Sequence, residues 1–205
     1  MHLNWLGQTC VKLQTKNQEE DVVILIDPYK PDKGDFPRSF SPQIALFSRG
    51  QDKTVTLSLN PFIVDALGEL EVKGAVIYAL PGSEEGNVMF KIIAEGLSVV
   101  HLGRANKKAE NGLMDKLSGA DILFLPVGGG DCYDPETAVA LAAALEPKII
   151  IPIAYRCDTD PGAKPVEEFL KEMGLKPEIT DKKIILKKKD IPTEGPRVMV
   201  LEKNY

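Results

Sequence analysis

The hydrophobic pattern changes character about halfway along the chain. Before residue 105 the apolar residues form short, nearly unbroken runs, such as VVILI at 22–26, which are typical of strands covered on both faces. Further runs of this kind lie at 44–47, 75–80, 88–93 and 97–102. The first hundred residues are therefore predicted to form mainly strands.

After residue 105 the pattern alternates between strand and helix. Residues 121–125 predict a buried strand, and Asp134 followed by Pro135 predicts a capped start for a helix whose apolar body is 138–145. Residues 149–153 predict the next strand, parallel to the first. An amphipathic helix and two closing strands are predicted at 165–173, 184–186 and 198–201. Because no linker divides the chain, we expect a single α/β domain over residues 1–205.

Composition and charge exclude several classes of protein. The formal net charge of −5 argues against a nucleic-acid-binding surface, and no apolar run approaches the roughly 18 residues that a membrane span needs. Cys10, Cys132 and Cys157 form no CxxC pair, which favours a reduced, cytoplasmic protein. The lysine-rich segment 182–189 is interpreted as protection of an edge strand. The chain has only two histidines, His2 and His101, so an imidazole cluster is excluded.

Six short motifs follow one another in a familiar order. They are WLGQTC at 5–10, ILIDPY at 24–29, VVHLG at 99–103, LPVGG at 125–129, DPETA at 134–138 and PKIIIPIAY at 147–155. Together they resemble the metallo-β-lactamase-fold hydrolases, in the small branch related to ascorbate-phosphate lactonases. The resemblance implies a four-layer αββα sandwich, in which two mixed β-sheets are flanked by helices. It also implies zinc or another divalent metal at the edge between the two sheets.

The positions that correspond to the family's metal ligands hold other residues. The family's Thr-His-x-His-x-Asp-His motif falls on 48–54, and its His-Leu-Gly-Asp motif reads HLGR at 101–104. Its Ile-Pro-x-His-Tyr motif ends in AY at 154–155, and a further family histidine near 81–83 has no counterpart. The resemblance therefore assigns six former metal-site positions, namely Arg49, Gln51, Lys53, Thr54, Arg104 and Ala154.

These side chains do not suit a divalent cation. Zinc is held by imidazole, carboxylate or thiolate, whereas arginine has no lone pair to offer. Two unit charges about 4 Å apart interact by about 4 kcal/mol at an effective dielectric constant near 20, and a divalent ion meets about twice that repulsion from one guanidinium. We therefore expect no metal cofactor. The favoured interpretation is a catalytically inactive relative, retained for binding or interaction.

The arginines are predicted to replace the metals as the positive charges of the site. Unpaired buried guanidiniums are costly, so we expect them to pair with carboxylates from neighbouring loops. The supporting acids named by this hypothesis are Asp27, Asp52, Asp131 and Asp158. A sharper version predicts an anion pocket in which Arg49, Lys53 and Arg104 hold a phosphate or carboxylate ligand.

The competing interpretation is an enzyme. It would be a hydrolase with a divergent metal site, or one that acts without metal through His101 and either Cys132 or Cys157. These three residues are weak catalytic candidates, because a lone histidine at a strand end is more often a hydrogen-bonded structural residue. Possible partners are a small anionic ligand or a second copy of the chain, since a lost substrate groove leaves an apolar face.

Overall fold

The computed structural model describes residues 1–82, 84–107 and 111–204, and within them strands predominate. The strands are β1 (His2–Gly7), β2 (Cys10–Lys16), β3 (Asp21–Ile26), β4 (Ser39–Phe40), β5 (Ile44–Leu46), β6 (Thr56–Leu57), β7 (Phe62–Val64), β8 (Gly68–Val72), β9 (Ala75–Pro81), β10 (Val88–Ala94), β11 (Leu97–His101), β12 (Ile122–Pro126), β13 (Ile149–Ile153), β14 (Glu178–Thr180), β15 (Ile184–Ile185) and β16 (Arg197–Leu201). The helices are α1 (Asn111–Leu117), α2 (Pro135–Leu145) and α3 (Val166–Met173), with a 3₁₀ turn at Lys188–Asp190.

The strands form two mixed sheets and one small parallel pair. The first sheet has six strands in the order β15-β1-β2-β3-β5-β7, and the second has eight in the order β14-β16-β13-β12-β11-β10-β9-β8. In the first, β3, β5 and β7 are parallel, and in the second, β11, β12, β13, β16 and β14 are parallel. The pair β4–β6 stands apart. The lysine-rich segment contains β15, which is an edge strand as the sequence predicts.

Helix α2 begins where its sequence signals predict. The Asp134 carboxylate accepts a hydrogen bond from the Thr137 N–H at 2.9 Å, and Pro135 occupies the first turn. The helix ends at Glu146, which adopts a left-handed conformation before Pro147. Helix α3 follows Pro165 and ends at Gly174 with φ of 67°. Among the described residues, α2 contacts α1, α3 and β12, so these helices belong to the eight-stranded sheet.

The apolar faces of both sheets contribute to one core. Leu13 and Ile24 from the six-stranded sheet belong to the same buried cluster as Ile92 and Leu123 from the eight-stranded sheet. On its outer face the six-stranded sheet carries a second, smaller cluster. Its buried members are covered by side chains from the loop after β3 and from two short strands. These are Tyr29 and Phe36 from the loop, Phe40 from β4 and Leu57 from β6. The predicted α/β sandwich is thus confirmed, and within the described residues this outer layer is made by loop and short strands.

Candidate functional site

The candidate site lies where the parallel strands of both sheets end. β3 leads into Asp27, β5 into Ser48 and Arg49, and β11 into Arg104. Carboxyl ends of parallel strands in an α/β sheet meet at one edge, where ligands commonly bind. Here they surround a small pocket of about 140 Å³, whose lining includes Asp27, Ser48, Arg49, Arg104 and, from the turn between β1 and β2, Gln8. The sequence-predicted residues Arg49 and Arg104 are therefore brought together.

One carboxylate joins the two arginines. Asp131 Oδ2 lies 2.6 Å from Arg104 Nε and 3.4 Å from Arg49 Nη1. The side chains of Arg104 and Arg49 are 23% and 35% exposed, and that of Asp131 is 49% exposed, so the cluster is half-buried rather than sealed from water. Two guanidiniums that share one oxygen atom are held close together despite their like charge, because the carboxylate between them offsets the repulsion.

Further partners occupy the outer nitrogens of both guanidiniums. Arg104 Nη1 donates to Gln8 Oε1 at 3.0 Å, and Arg104 Nη2 donates to Asp160 Oδ2 at 3.2 Å. On the other side, Arg49 Nε donates to Asn87 Oδ1 at 3.2 Å, and Arg49 Nη2 lies 3.6 Å from Glu84 Oε2. Burial lowers the pKa of Arg104, but Asp131 and Asp160 outweigh it, and the pKa is raised. The guanidinium remains charged.

The sequence hypothesis did not include these outer partners. Asp160 stands two residues after Asp158 in the loop that follows β13, and nothing in the spacing distinguishes one acid from the other. The sequence did offer a signal for Gln8, since this residue follows Gly7 in the first family motif and so belongs to a loop expected near the site. The loop after β9 supplies Glu84, in the segment where the sequence has no counterpart of a further family histidine, and residue 83 of that segment lies outside the described residues.

Three of the four supporting acids do not pair with the arginines, and that part of the hypothesis is corrected. Asp27 accepts hydrogen bonds from the backbone N–H and the hydroxyl of Ser48 at 2.6 and 2.7 Å, so its carboxylate ties the end of β3 to the end of β5. Asp158 pairs instead with Lys203 Nζ at 2.6 Å and accepts from the Asp35 N–H. Burial raises the pKa of Asp158, but Lys203 outweighs it and holds the pKa below its ordinary value.

Asp52, the remaining acid of this group, is exposed. It lines the small pocket, and no ion pair joins it to another residue in the described ranges. It follows Gly50 and Gln51 in a turn at the rim, where a carboxylate stays solvated and needs no partner.

The other former ligand positions are dispersed around the pocket. Gln51 is exposed and donates to Asp65 Oδ2 at 2.7 Å, while Thr54 donates its hydroxyl to the Pro28 carbonyl at 2.8 Å. Lys53 is exposed and lines a larger neighbouring cleft with Arg104. Ala154 is buried, and its N–H donates to the Gln8 carbonyl at 2.9 Å. The three residues of the predicted anion pocket therefore do not line a single pocket. Arg49 and Arg104 line the small pocket, and Lys53 does not.

Backbone conformations around the site are unusual. Gln8, Asp27, Lys53 and Ala154 all have positive φ, with values of 45°, 48°, 55° and 57°. Positive φ is uncommon for residues other than glycine and is disfavoured for alanine, which has no polar side chain to bond locally. Strain of this kind is maintained only where the surroundings determine it, and it concentrates at functional sites. Four positions from four separate loops therefore keep a strained framework around the pocket.

The residues at these positions do not fit a zinc ion. They offer two guanidiniums, an ammonium, an amide, a hydroxyl and a methyl group, and zinc requires imidazole, thiolate or carboxylate donors. The carboxylates of Asp27, Asp131 and Asp160 are already bonded to Ser48 or to the arginines. Asp52 also lines the pocket, but one carboxylate does not make a ligand set. In the part of the chain that the structure describes, no three His, Cys, Asp or Glu side chains are grouped so that they could hold a metal ion.

His101 is held in the core by both ring nitrogens. The Gly103 N–H donates to Nδ1 at 3.0 Å, so Nδ1 is an acceptor and Nε2–H donates to the Thr9 carbonyl at 2.9 Å. The residue is fully buried, and this burial lowers its pKa, partly offset by the charge of Asp27. Since neither nitrogen is free to take a proton, the arrangement gives no support to His101 as a general base.

The candidate cysteines do not meet His101. Cys132 is buried beside Arg104, and its burial raises the thiol pKa to about 12 despite the guanidinium. The Cys157 sulfur lies 3.2 Å from the Thr159 hydroxyl oxygen, and that hydroxyl also bonds the Tyr29 hydroxyl at 2.6 Å. Within the described ranges no contact joins either sulfur to the imidazole, so the geometry gives no support to a Cys–His pair.

The sheet order and the position of the site define an α/β protein of metallo-β-lactamase type. The chain belongs to the family described as the beta-lactamase superfamily domain, whose model matches residues 2–154. The family named by the sequence resemblance is thereby confirmed.

Relatives and solved structures agree with this assignment. A protein of Methanoregula boonei named UPF0173 metal-dependent hydrolase is 23% identical over 189 residues, covering 76% of this chain and 82% of the relative. Its namesake from Lysinibacillus sphaericus is 34% identical over 64 residues, and that match spans 28% of the relative's length. A crystal structure of a Thermotoga maritima protein, named as a Zn-dependent hydrolase of the metallo-beta-lactamase superfamily, has a TM-score of 0.81 and 26% identity, covering 98% of both chains. The metallo hydrolase Igni18 from Ignicoccus hospitalis has a TM-score of 0.67 at 17% identity, covering 100% of this chain and 96% of the other.

No helix among the described residues is both long and apolar enough to cross a bilayer.

Proposed function

We propose that this chain is a non-hydrolytic member of the metallo-β-lactamase superfamily, in which a network of arginines and carboxylates stands where relatives hold metal. The observation that carries the proposal is the shared contact of Arg49 and Arg104 with one oxygen of Asp131. A carboxylate between two guanidiniums places a negative group between two positive ones, as in a metal pair bridged by a carboxylate. Unlike metal ions, guanidiniums are not Lewis acids and cannot lower the pKa of a bound water.

Electrostatics supports this proposal. A divalent ion placed between two guanidiniums would meet about 8 kcal/mol of repulsion from each at about 4 Å and an effective dielectric constant near 20. It would also have to take Asp131 away from both of them. Structural zinc sites typically gain about 10–16 kcal/mol from a complete set of ligands, which these positions do not supply. Repulsion and ligand loss therefore act in the same direction.

The retained framework supports a role other than hydrolysis. Asp27 still ties β3 to β5, and the loops around the pocket still hold strained backbone at Gln8 and Ala154. Such a framework positions side chains for contact with a ligand or partner. Non-catalytic binding is therefore the function that these residues support best.

Metal analysis tests the proposal most directly. The purified chain and the Thermotoga relative, as the matched control, are incubated with excess zinc, dialysed together and analysed for metal by mass spectrometry. We expect stoichiometric metal in the relative and substoichiometric metal in this chain. Stoichiometric zinc, iron or manganese that survives dialysis in this chain would contradict the proposal.

Activity assays test the competing enzyme. Both proteins are assayed against ester, lactone and phosphodiester substrates, with and without added zinc. We expect no turnover by this chain in either condition. Turnover without metal that is lost in Cys132→Ser or Cys157→Ser, with unchanged thermal unfolding, would favour the metal-independent hydrolase instead.

A further inference from the structure

Two clefts lie beside the arginine cluster, on either side of the loop 30–38 that follows β3. The first has a volume of about 500 Å³, and its charged lining residues are Lys30, Lys33, Lys53, Arg104, Asp32, Asp52 and Asp160. The second has a volume of about 490 Å³ and is lined by Lys30 and Arg38, with Phe36, Thr54 and Thr56. Lys30 and Pro31 belong to both linings, so the two clefts adjoin along these two residues.

Four cations of these clefts differ from the arginines of the cluster, because their side chains have no partner among the described residues. Arg104 is bonded to Gln8, Asp131 and Asp160. By contrast, no ion pair or side-chain hydrogen bond joins Lys30, Lys33, Lys53 or Arg38 to another residue of the described chain. The five cations of the two linings exceed the three carboxylates, giving a local charge of +2 on a chain whose net charge is −5.

The backbone holds two of these lysines side by side. The Lys30 N–H donates to the Lys53 carbonyl, and the Thr54 hydroxyl donates to the Pro28 carbonyl at 2.8 Å. These bonds join the loop after β3 to the loop after β5, with Lys53 in a strained conformation at φ of 55°. The bonds fix the two backbones so that both lysines line one cleft, and an anion bound there would offset the repulsion between their ammonium groups. Backbone strain such as that at Lys53 clusters at sites that bind ligands.

We propose that the two clefts around loop 30–38 bind a small polyanion that carries phosphate or carboxylate groups. This inference rests on the proposed function, because it requires that the positive charge facing the ligand come from side chains and not from metal. Lys30, Lys33 and Lys53 form the first contact set, and Arg38 lies in the adjoining cleft with the Thr54 and Thr56 hydroxyls. Ammonium groups bind such anions as point charges, and hydroxyls add hydrogen bonds to the anionic oxygens.

Calorimetric titration with inorganic pyrophosphate and, separately, with citrate tests the proposal. The protein is first passed over a chelating resin, and its metal content is measured on the same sample. We expect a dissociation constant below about 1 mM at low salt for at least one probe, weakening as salt is raised because exposed charges are screened. The double variant Lys30→Gln/Lys53→Gln is expected to bind about tenfold more weakly or worse.

The matched control is Lys176→Gln/Lys189→Gln. It removes the same charge from two exposed lysines that line neither cleft. We expect the control to bind as the unmodified chain does. The inference is overturned if neither probe binds at about 10 mM, or if the control loses as much affinity as the cleft variant. The inference is also overturned if the cleft variant binds as the unmodified chain does, and stoichiometric metal in that sample would overturn the proposed function as well.

Discussion

Two aspartates at opposite ends of β12 use the same chemistry for different purposes. Asp121 stands just before the strand and Asp131 lies in the loop after it. Both accept from basic side chains, but the Asp121 side chain is 11% exposed and that of Asp131 is 49% exposed. The difference teaches that burial and backbone partners, rather than the presence of an ion pair, decide what a carboxylate contributes.

Asp121 is built into the sheet. Its Oδ2 accepts from the Ser98 N–H at 2.8 Å and from the Ser98 hydroxyl, while the Ser98 hydroxyl oxygen in turn accepts from the Asp121 N–H at 2.9 Å. Lys188 Nζ lies 2.9 Å from both carboxylate oxygens. Asp131, in contrast, has only guanidinium partners among the described residues. Asp121 therefore joins β11 to β12, and Asp131 holds two charges in place.

Replacing each aspartate by alanine should separate the two roles. Asp121→Ala leaves the Ser98 N–H without its acceptor in a nearly buried place, and we expect it to lower the free energy of unfolding by about 2–3 kcal/mol. Asp131→Ala removes two half-exposed ion pairs, and we expect a loss of at most about 1 kcal/mol. Urea denaturation of both variants measures the difference. Equal losses, or a larger one for Asp131→Ala, would show that the arginine cluster is a structural element.

The pH dependence of stability sharpens the same contrast. Burial raises the pKa of Asp121, but Lys188 and Ser98 outweigh it, and the pKa lies below its ordinary value of 3.8. A carboxyl whose folded pKa is lowered contributes stability above its unfolded pKa, and this contribution is lost as the pH falls through the folded pKa.

The difference in unfolding free energy between the unmodified chain and Asp121→Asn should thus be constant from neutral pH down to about pH 5, where the unfolded aspartate is still ionised. Below about pH 4 the difference should shrink, because protonated Asp121 resembles asparagine. Urea unfolding at a series of pH values measures this. A difference that grows on acidification would mean that the sign of the pKa shift is wrong.

Much of this architecture could be predicted from the sequence, because its signals are local. Apolar runs rich in β-branched residues predicted β3 and β13, and Asp134 with Pro135 predicted the start of α2. The placement of Arg49 and Arg104 at one pocket followed from their positions directly after β5 and β11, in a family whose strand ends meet there.

The pairing within the site could not be predicted in the same way. Which of Asp131, Asp158 and Asp160 meets a guanidinium depends on loop conformations and on distant residues such as Lys203, which takes Asp158. The strained backbone could not be predicted from the sequence either, since an alanine at position 154 gives no signal for positive φ. Long-range pairing and strain arise from tertiary structure, so local patterns do not encode them.

The smallest expected effect compares the backbone at the two ends of the parallel strands, where two buried alanines differ in conformation. Ala154, just after β13, and Ala120, just before β12, are 1% and 2% exposed, but only Ala154 has positive φ. Ala120→Gly should lower the free energy of unfolding by about 1–2 kcal/mol, from the lost methyl burial and the added freedom of the unfolded chain. Ala154→Gly carries the same losses but relieves about 1–2 kcal/mol of left-handed strain, so we expect its unfolding free energy to stay within about 0.5 kcal/mol of the unmodified value. Chemical denaturation of both variants decides the matter. Equal destabilisation would mean that Ala154 is unstrained, and that the loops around the pocket are ordinary connections rather than a maintained framework.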